Sequence, residues 1–152
     1  AAKLTGGFQN SPIPSVIDGI DLTGPRIRRP VLLQYKVLII LEGNDVSTGL
    51  KWALLSNSVV LMPRPTKSSW AMEEWLQPYV HYVPLRDDLT DVQSQTQWIL
   101  ENQQAAQKIA HRASLWMYDL LGHPDAKTEE SWVKQEILRR YQLLLRTASK
   151  RY

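Results

Sequence analysis

The stretch KVLIILEGNDVSTGLKWALLSNSVVLMPRP, Lys36 to Pro65, decides how this chain folds. KVLIIL is apolar at consecutive positions, so it reads as a strand buried on both faces, the kind a parallel sheet demands. The polar turn EGNDVST follows directly. TGLKWALLSN then places Leu50, Trp52 and Leu54 at helical spacing, with Ser47 or Thr48 as the N-cap. SVVLM is a second buried strand, stopped by Pro63 and Pro65. A strand that returns through a helix returns parallel.

Further along the chain, SSWAMEEWL predicts a short helix, although neither Ser68 nor Ser69 has the Glu or Gln that a capping box needs. HYVPL is a third strand, and RDDLTD is a turn in which Thr90 or Asp91 caps the helix VQSQTQWILEN. The expected strands are thus Val37–Leu41, Val59–Met62 and Tyr82–Leu85, adjacent and parallel. QQAAQKIAHRASLWMYDLL carries Ala106, Ile109, Ala113, Trp116 and Leu120 on one stripe, and Gly122 with Pro124 ends it. The last helix, Glu129 to Ala148, has acidic residues in its first turn and basic ones in its last, as the helix dipole favours. Its Trp132, Ile137, Tyr141 and Leu144 are expected to face inward. Before Lys36 lies a leading segment broken by Pro12, Pro14, Pro25 and Pro30, with a candidate first strand at Ala2–Thr5. The layout is therefore a leading segment over 1–35, a core over 36–122 and a C-terminal helix over 123–152. The alternation of strand and helix defines an α/β, Rossmann-like three-layer domain with a parallel sheet.

Composition narrows the possible chemistry. The chain has 152 residues, room for one domain with a real core, and 43% hydrophobic residues, which excludes global disorder. It has no cysteine, which rules out disulfides, thiolate metal sites and cysteine nucleophiles. His81, His111 and His123 are too scattered for a metal site, so none is expected. No apolar run is long enough to span a bilayer, and no signal-peptide pattern opens the chain. The compartment stays open, and a secretory or organellar one fits if a targeting segment has been removed. The net charge of +3 reads as a solvated surface that prefers anions. The basic clusters, RIRRP and the tail RRYQLLLRTASKRY, lack the interleaved aromatics of a nucleic-acid groove, so nucleic acid is not an expected partner.

In open parallel sheets, ligands sit beyond the carboxyl ends of the strands. EGNDVST lies there, where a helix begins and backbone N–H groups favour an anion. Gly43 allows close approach, Ser47, Thr48 and Lys51 can bond phosphate oxygens, and Asn44 between them counts among the phosphate-binding candidates. The same pattern also serves plain helix capping, and the glycine spacing matches neither a Walker loop nor a dinucleotide fingerprint. Glu73 and Glu74 open a short helix at a strand end, where a carboxylate is either simply solvated or available to sugar or ribose hydroxyls. Trp70, beside the loop, is a candidate to face a ligand, while His81 reads as a hydrogen-bonded core histidine.

Over about half its length the chain resembles glycosyltransferase family ninety, the family of protein O-glucosyltransferases, O-xylosyltransferases and capsule xylosyltransferases. The resemblance is carried by YKVLIILEGNDVSTGLKWALLSNSVVLMP, SSWAMEEWLQPYVHYVPLRDDLTDV and WILENQQAAQKIA, with PYVHYVPL its most specific part. It implies a GT-B architecture of two Rossmann-like halves, of which this chain corresponds to the C-terminal, donor-binding half. It also implies transfer of glucose, xylose or a similar sugar from a UDP-type donor to a hydroxyl, inverting, without metal or other cofactor. Gly43, Ser47 and Lys51 would then lie near the diphosphate, and Met62 and Pro63 near the nucleotide or sugar. The chain departs from the family pattern at Gly49, where many members carry Arg. The family's catalytic Asp belongs to an N-terminal half, so the resemblance assigns no catalytic residue here, and that half or another protein chain is an expected partner. The alternative reading is a non-catalytic, glycosyltransferase-derived subunit of a larger assembly.

Overall fold

The computed structural model of the chain describes residues 16–17, 20–21 and 27–149. The candidate strand Ala2–Thr5 lies outside these residues. Within the leading segment, β1 (Val16–Ile17) pairs antiparallel with β2 (Ile20–Asp21). The short helix α1 (Arg29–Leu32) follows, with Pro30 in its first turn, where a missing N–H costs nothing. The main sheet contains β3 (Val37–Ile39), β4 (Val59–Pro63) and β5 (Val83–Leu85) in the order β3-β4-β5. Both pairings are parallel, with Val37 opposite Val59 and Leu61 opposite Val83. The three-strand expectation holds.

Helices cover both faces. Between β3 and β4 runs α2 (Thr48–Leu54), and after β5 come α3 (Val92–Glu101), α4 (Gln103–Gly122) and α5 (Ala126–Ser149). Alternation along β4 divides the core in two. Val60 and Met62 join Leu50, Leu54, Tyr82 and Met117 on one face. Val59 and Leu61 join Val83, Ile99, Ile109 and Ala110 on the other. The Ser114 hydroxyl lies 3.0 Å from the carbonyl oxygens of both Leu54 and Ser56, so α4 meets the carboxyl end of α2.

Three expectations need correction. KVLIIL reads as buried on both faces, yet only Leu38 of β3 is buried and Ile39 is exposed. β3 is an edge strand, and the covered position belongs to β4, whose residues from Val59 to Met62 are all buried. SSWAMEEWL is no α-helix. Met72 adopts left-handed backbone (φ 51°), and only a single 3-10 turn, Glu73–Trp75, follows. The largest departure is α5. Trp132, Ile137, Tyr141 and Leu144, expected to face inward, are 65, 60, 59 and 68% exposed. The helix forms where its pattern predicts, but its apolar stripe lies outside the core.

Candidate functional site

The three strands of the main sheet end on one edge, and two polar knots shape it. The first is buried. Glu73 is 1% exposed, and its carboxylate accepts hydrogen bonds from the Lys51 ammonium at 2.6 Å, the Ser69 N–H at 2.7 Å and the Ser69 hydroxyl at 2.8 Å. Burial alone would raise the Glu73 pKa, but the bonds from Lys51 and Ser69 outweigh it and hold the carboxyl below its ordinary value. These contacts also explain the lost helix: Ser69 and Glu73 fold onto one another and onto α2. The Trp70 ring stands exposed beside the knot, its centroid 5.9 Å from the Lys51 ammonium.

The second knot ties the end of β3 to the end of β4. Glu42 accepts from the Thr66 hydroxyl at 2.5 Å, the Thr66 N–H at 3.1 Å and the Lys67 N–H at 3.2 Å. The Lys67 ammonium lies 3.7 Å from the same carboxylate and donates to the Gly43 carbonyl at 3.1 Å. Here too burial pushes the carboxyl up, and the Thr66 and Lys67 bonds bring it below the ordinary range. The loop Gly43–Val46 is further folded by Val46 N–H donating to the Asp45 carboxylate at 2.7 Å.

Beside the second knot, with Glu42 and Thr66 in its lining, opens a cleft of about 290 Å³. Its floor is apolar, formed by Ile40, Leu41, Leu50, Met62 and Pro63, and its polar lining is Glu42, Ser47, Arg64, Thr66 and Asp87. All three strand ends contribute: Ile40 to Glu42 beyond β3, Arg64 to Thr66 beyond β4, and Asp87 beyond β5. A mostly apolar concavity with a few convergent polar groups at the carboxyl edge of a parallel sheet is where such folds hold small ligands. Ser47 occupies the N-cap position of α2, but its hydroxyl makes no capping bond.

The model of the family described as "Glycosyl transferase family 90" matches residues 27–150. The chain belongs to this family. It is 42% identical over 113 residues to "O-glucosyltransferase LpsA" of Dichelobacter nodosus, a match covering 74% of this chain and 34% of that relative. It is 35% identical over 93 residues to "Protein O-glucosyltransferase 2" of Danio rerio, covering 59% of this chain and 18% of the relative. With "Protein O-glucosyltransferase 3" of Homo sapiens the figures are 32% over 89 residues, 58% and 17%. The chain thus spans about a third or less of the length of these family 90 relatives.

Of the residues singled out in the sequence of this family 90 chain, Ser47, Met62 and Pro63 line the cleft. Gly43, Asn44 and Thr48 are exposed on the adjoining loop and first helical turn. A side chain at Gly43 would meet nothing within 4 Å, so neither packing nor left-handed backbone requires glycine there. Glu73 must be corrected: it is a buried anchor for Lys51, not a surface carboxylate. Glu74 is exposed and accepts from the Ser68 hydroxyl. His81 is half-buried, its Nδ1 accepting from Gln77 N–H at 3.0 Å and its ring tilted on Trp116, as a core histidine should be. Arg64, Thr66 and Asp87 escaped the sequence reading. Their signal was present, since each stands within three positions of a strand's carboxyl end. Among the described residues, no three His, Asp or Glu side chains form a metal-ligating group, and no helix is long and apolar enough to cross a membrane.

Proposed function

We propose that this chain is the donor-binding part of a glycosyltransferase that transfers glucose, xylose or a similar sugar from a UDP-type nucleotide sugar to a hydroxyl acceptor. The observation that carries the reading is the cleft at the carboxyl ends of three parallel strands in a family 90 chain. Relatives named O-glucosyltransferases support the reaction class. In this reading the loop residues Gly43, Asn44, Ser47 and Thr48 surround the phosphates, and Met62 and Pro63 contact the nucleotide or sugar. Lys51 reaches the phosphates only with the ammonium N–H groups that Glu73 leaves unused. Transfer is inverting and independent of metal, and the catalytic base comes from outside these residues.

Titrating UDP, UDP-glucose and UDP-xylose into the chain and following the loop amides by NMR tests this directly. With one wall of an interdomain cleft, binding is expected at about 0.1–1 mM. No response at millimolar nucleotide would remove the donor reading. One observation favours a second reading, that of a non-catalytic subunit in a larger assembly: α5 presents its apolar residues at the surface. Recovery of the chain at fixed stoichiometry in a complex without transfer activity would support it.

A further inference from the structure

The cations at the sheet's carboxyl edge are not equivalent. Lys51 is bound to buried Glu73 at 2.6 Å, and Lys67 is shared between Glu42 and the Gly43 carbonyl. Arg86 follows β5 but does not line the cleft. Arg64 does line it, and among the described residues it has no ion pair within 4.0 Å. We propose that Arg64, which lines this cleft together with Ser47, joins the loop residues in binding a ligand's diphosphate; the inference rests on the nucleotide-sugar reading above.

Position and stiffness both support it. Arg64 is the first residue after β4, whose residues Val59 to Met62 are all buried, and sits between Pro63 and Pro65. Each proline fixes its own φ, and Pro65 holds Arg64 out of the helical region, so the guanidinium is mounted on backbone that is already ordered. A planar guanidinium can give two parallel N–H bonds to phosphate oxygens, a geometry that an ammonium cannot match. In the same lining, the Ser47 hydroxyl is not used for capping and supplies another donor. Glu42, a carboxylate of the cleft lining, is satisfied by Thr66 and Lys67, which leaves Arg64 unneutralised by it. Asp87, on the neighbouring strand end, would repel phosphate and suits hydroxyl groups instead. The cleft thus combines phosphate-seeking groups, Arg64 and Ser47, with a hydroxyl-seeking one, Asp87.

Gly49 offers an independent lever. A Cβ built there would lie 3.5 Å from the Ser47 hydroxyl oxygen and 3.7 Å from Ile40 Cδ1, ordinary contact distances to two cleft residues. The first atom of a side chain can therefore be added at that position without displacing its neighbours.

The test is calorimetric titration of the whole chain with UDP, uridine and inorganic pyrophosphate, using wild type, Arg64→Ala, Arg64→Lys and Arg64→Ala combined with Gly49→Arg. Arg64 is exposed, so its variants should fold, which circular dichroism verifies. Arg64→Ala is expected to weaken UDP and pyrophosphate about 10- to 100-fold, the loss typical of a charge-assisted hydrogen-bonded contact, and to leave uridine unchanged. Arg64→Lys should recover part of the loss, and Gly49→Arg should restore pyrophosphate binding in the Arg64→Ala background. UDP binding to Arg64→Ala at wild-type strength would overturn the assignment while leaving the donor reading standing. Arg64-dependent pyrophosphate binding with no gain from the uridine moiety would uphold Arg64 and remove the UDP reading. Equal losses for UDP and uridine would overturn the assignment, because Arg64 would then act on the base or on the shape of the cleft.

Discussion

Glu73 and Ile137 sit in the wrong places by polarity alone. The carboxylate is 1% exposed and the isoleucine 60% exposed. Around Glu73, α2 presents Lys51 and the chain folds back to present Ser69, so every charge that leaves water finds a partner at hydrogen-bond distance. Along α5, the apolar stripe is as regular as any in the core, but no described strand or helix runs alongside it over most of its length. Burial follows what the topology brings within reach. Periodicity says only that a face is available.

The largest expected effect breaks the buried side of this contrast. Glu73→Ala would strand the Lys51 ammonium, 16% exposed, and the Ser69 N–H. Removing one partner of a buried pair costs about 3–5 kcal/mol, which urea denaturation would read. A loss below about 1 kcal/mol would show that the knot is hydrated and contributes little. Replacing both partners, Lys51→Met with Glu73→Leu, should be far milder than either single change, because no charge is left unpaired.

The same knot has a pH signature. The folded-state pKa of Glu73 lies below its ordinary value of 4.5, and Glu42 behaves alike. A depressed carboxylate contributes stability that is fully present above the unfolded pKa and is lost as pH falls through the folded one. Stability should therefore be flat toward neutrality and decline below about pH 4.5. Glu73→Gln should be less stable at pH 7 and show a shallower acid decline. Parallel acid profiles for the two proteins would mean that Glu73 is not the titrating group.

A smaller effect sharpens what a satisfied interior means. The Tyr82 ring is fully buried in the core shared with Met117, and its hydroxyl has no hydrogen-bond partner among the described residues. Burial raises the pKa of that hydroxyl, with Arg64 opposing. Tyr82→Phe removes a desolvated donor without changing the ring, so stability should rise by about 1 kcal/mol. A loss of similar size would place an ordered water on the hydroxyl.

These contrasts mark how far the residues alone could carry the reading. The three parallel strands were legible because consecutive apolar runs separated by helical spacing have few other solutions. Which strand is central was not, since KVLIIL and SVVLM look alike and only the pairing order leaves Ile39 on an edge. The site was half legible. Ser47, Met62 and Pro63 follow from the rule about strand ends, whereas the Lys51–Glu73 bond joins residues 22 apart and depends on Met72 taking left-handed backbone, which no local preference predicts. Arg64 went unnoticed because a lone arginine between prolines reads as a strand stop.

The smallest expected effect concerns α5. Val133, Ile137 and Tyr141 follow at intervals of four and so share one face, and each is more than half exposed. The helix is held mainly by its own backbone ladder and by surface ion pairs. Lys134 lies 2.7 Å from Glu130, while Arg139 and Arg140 donate to Glu136 and hold that carboxyl at about 2. Such pairs contribute little individually, and 24 residues suffice for a helix to persist without a neighbour along its whole length. Ile137→Ala should therefore change stability by less than about 0.5 kcal/mol, as truncation at an exposed site does. Binding of a hydrophobic dye should fall, because the apolar surface it reads is smaller. A loss well above that size, together with a melting temperature that rises with protein concentration, would show that the face is covered in solution. The contrast with Glu73 would then be one of which molecule supplies the partner rather than of whether one exists.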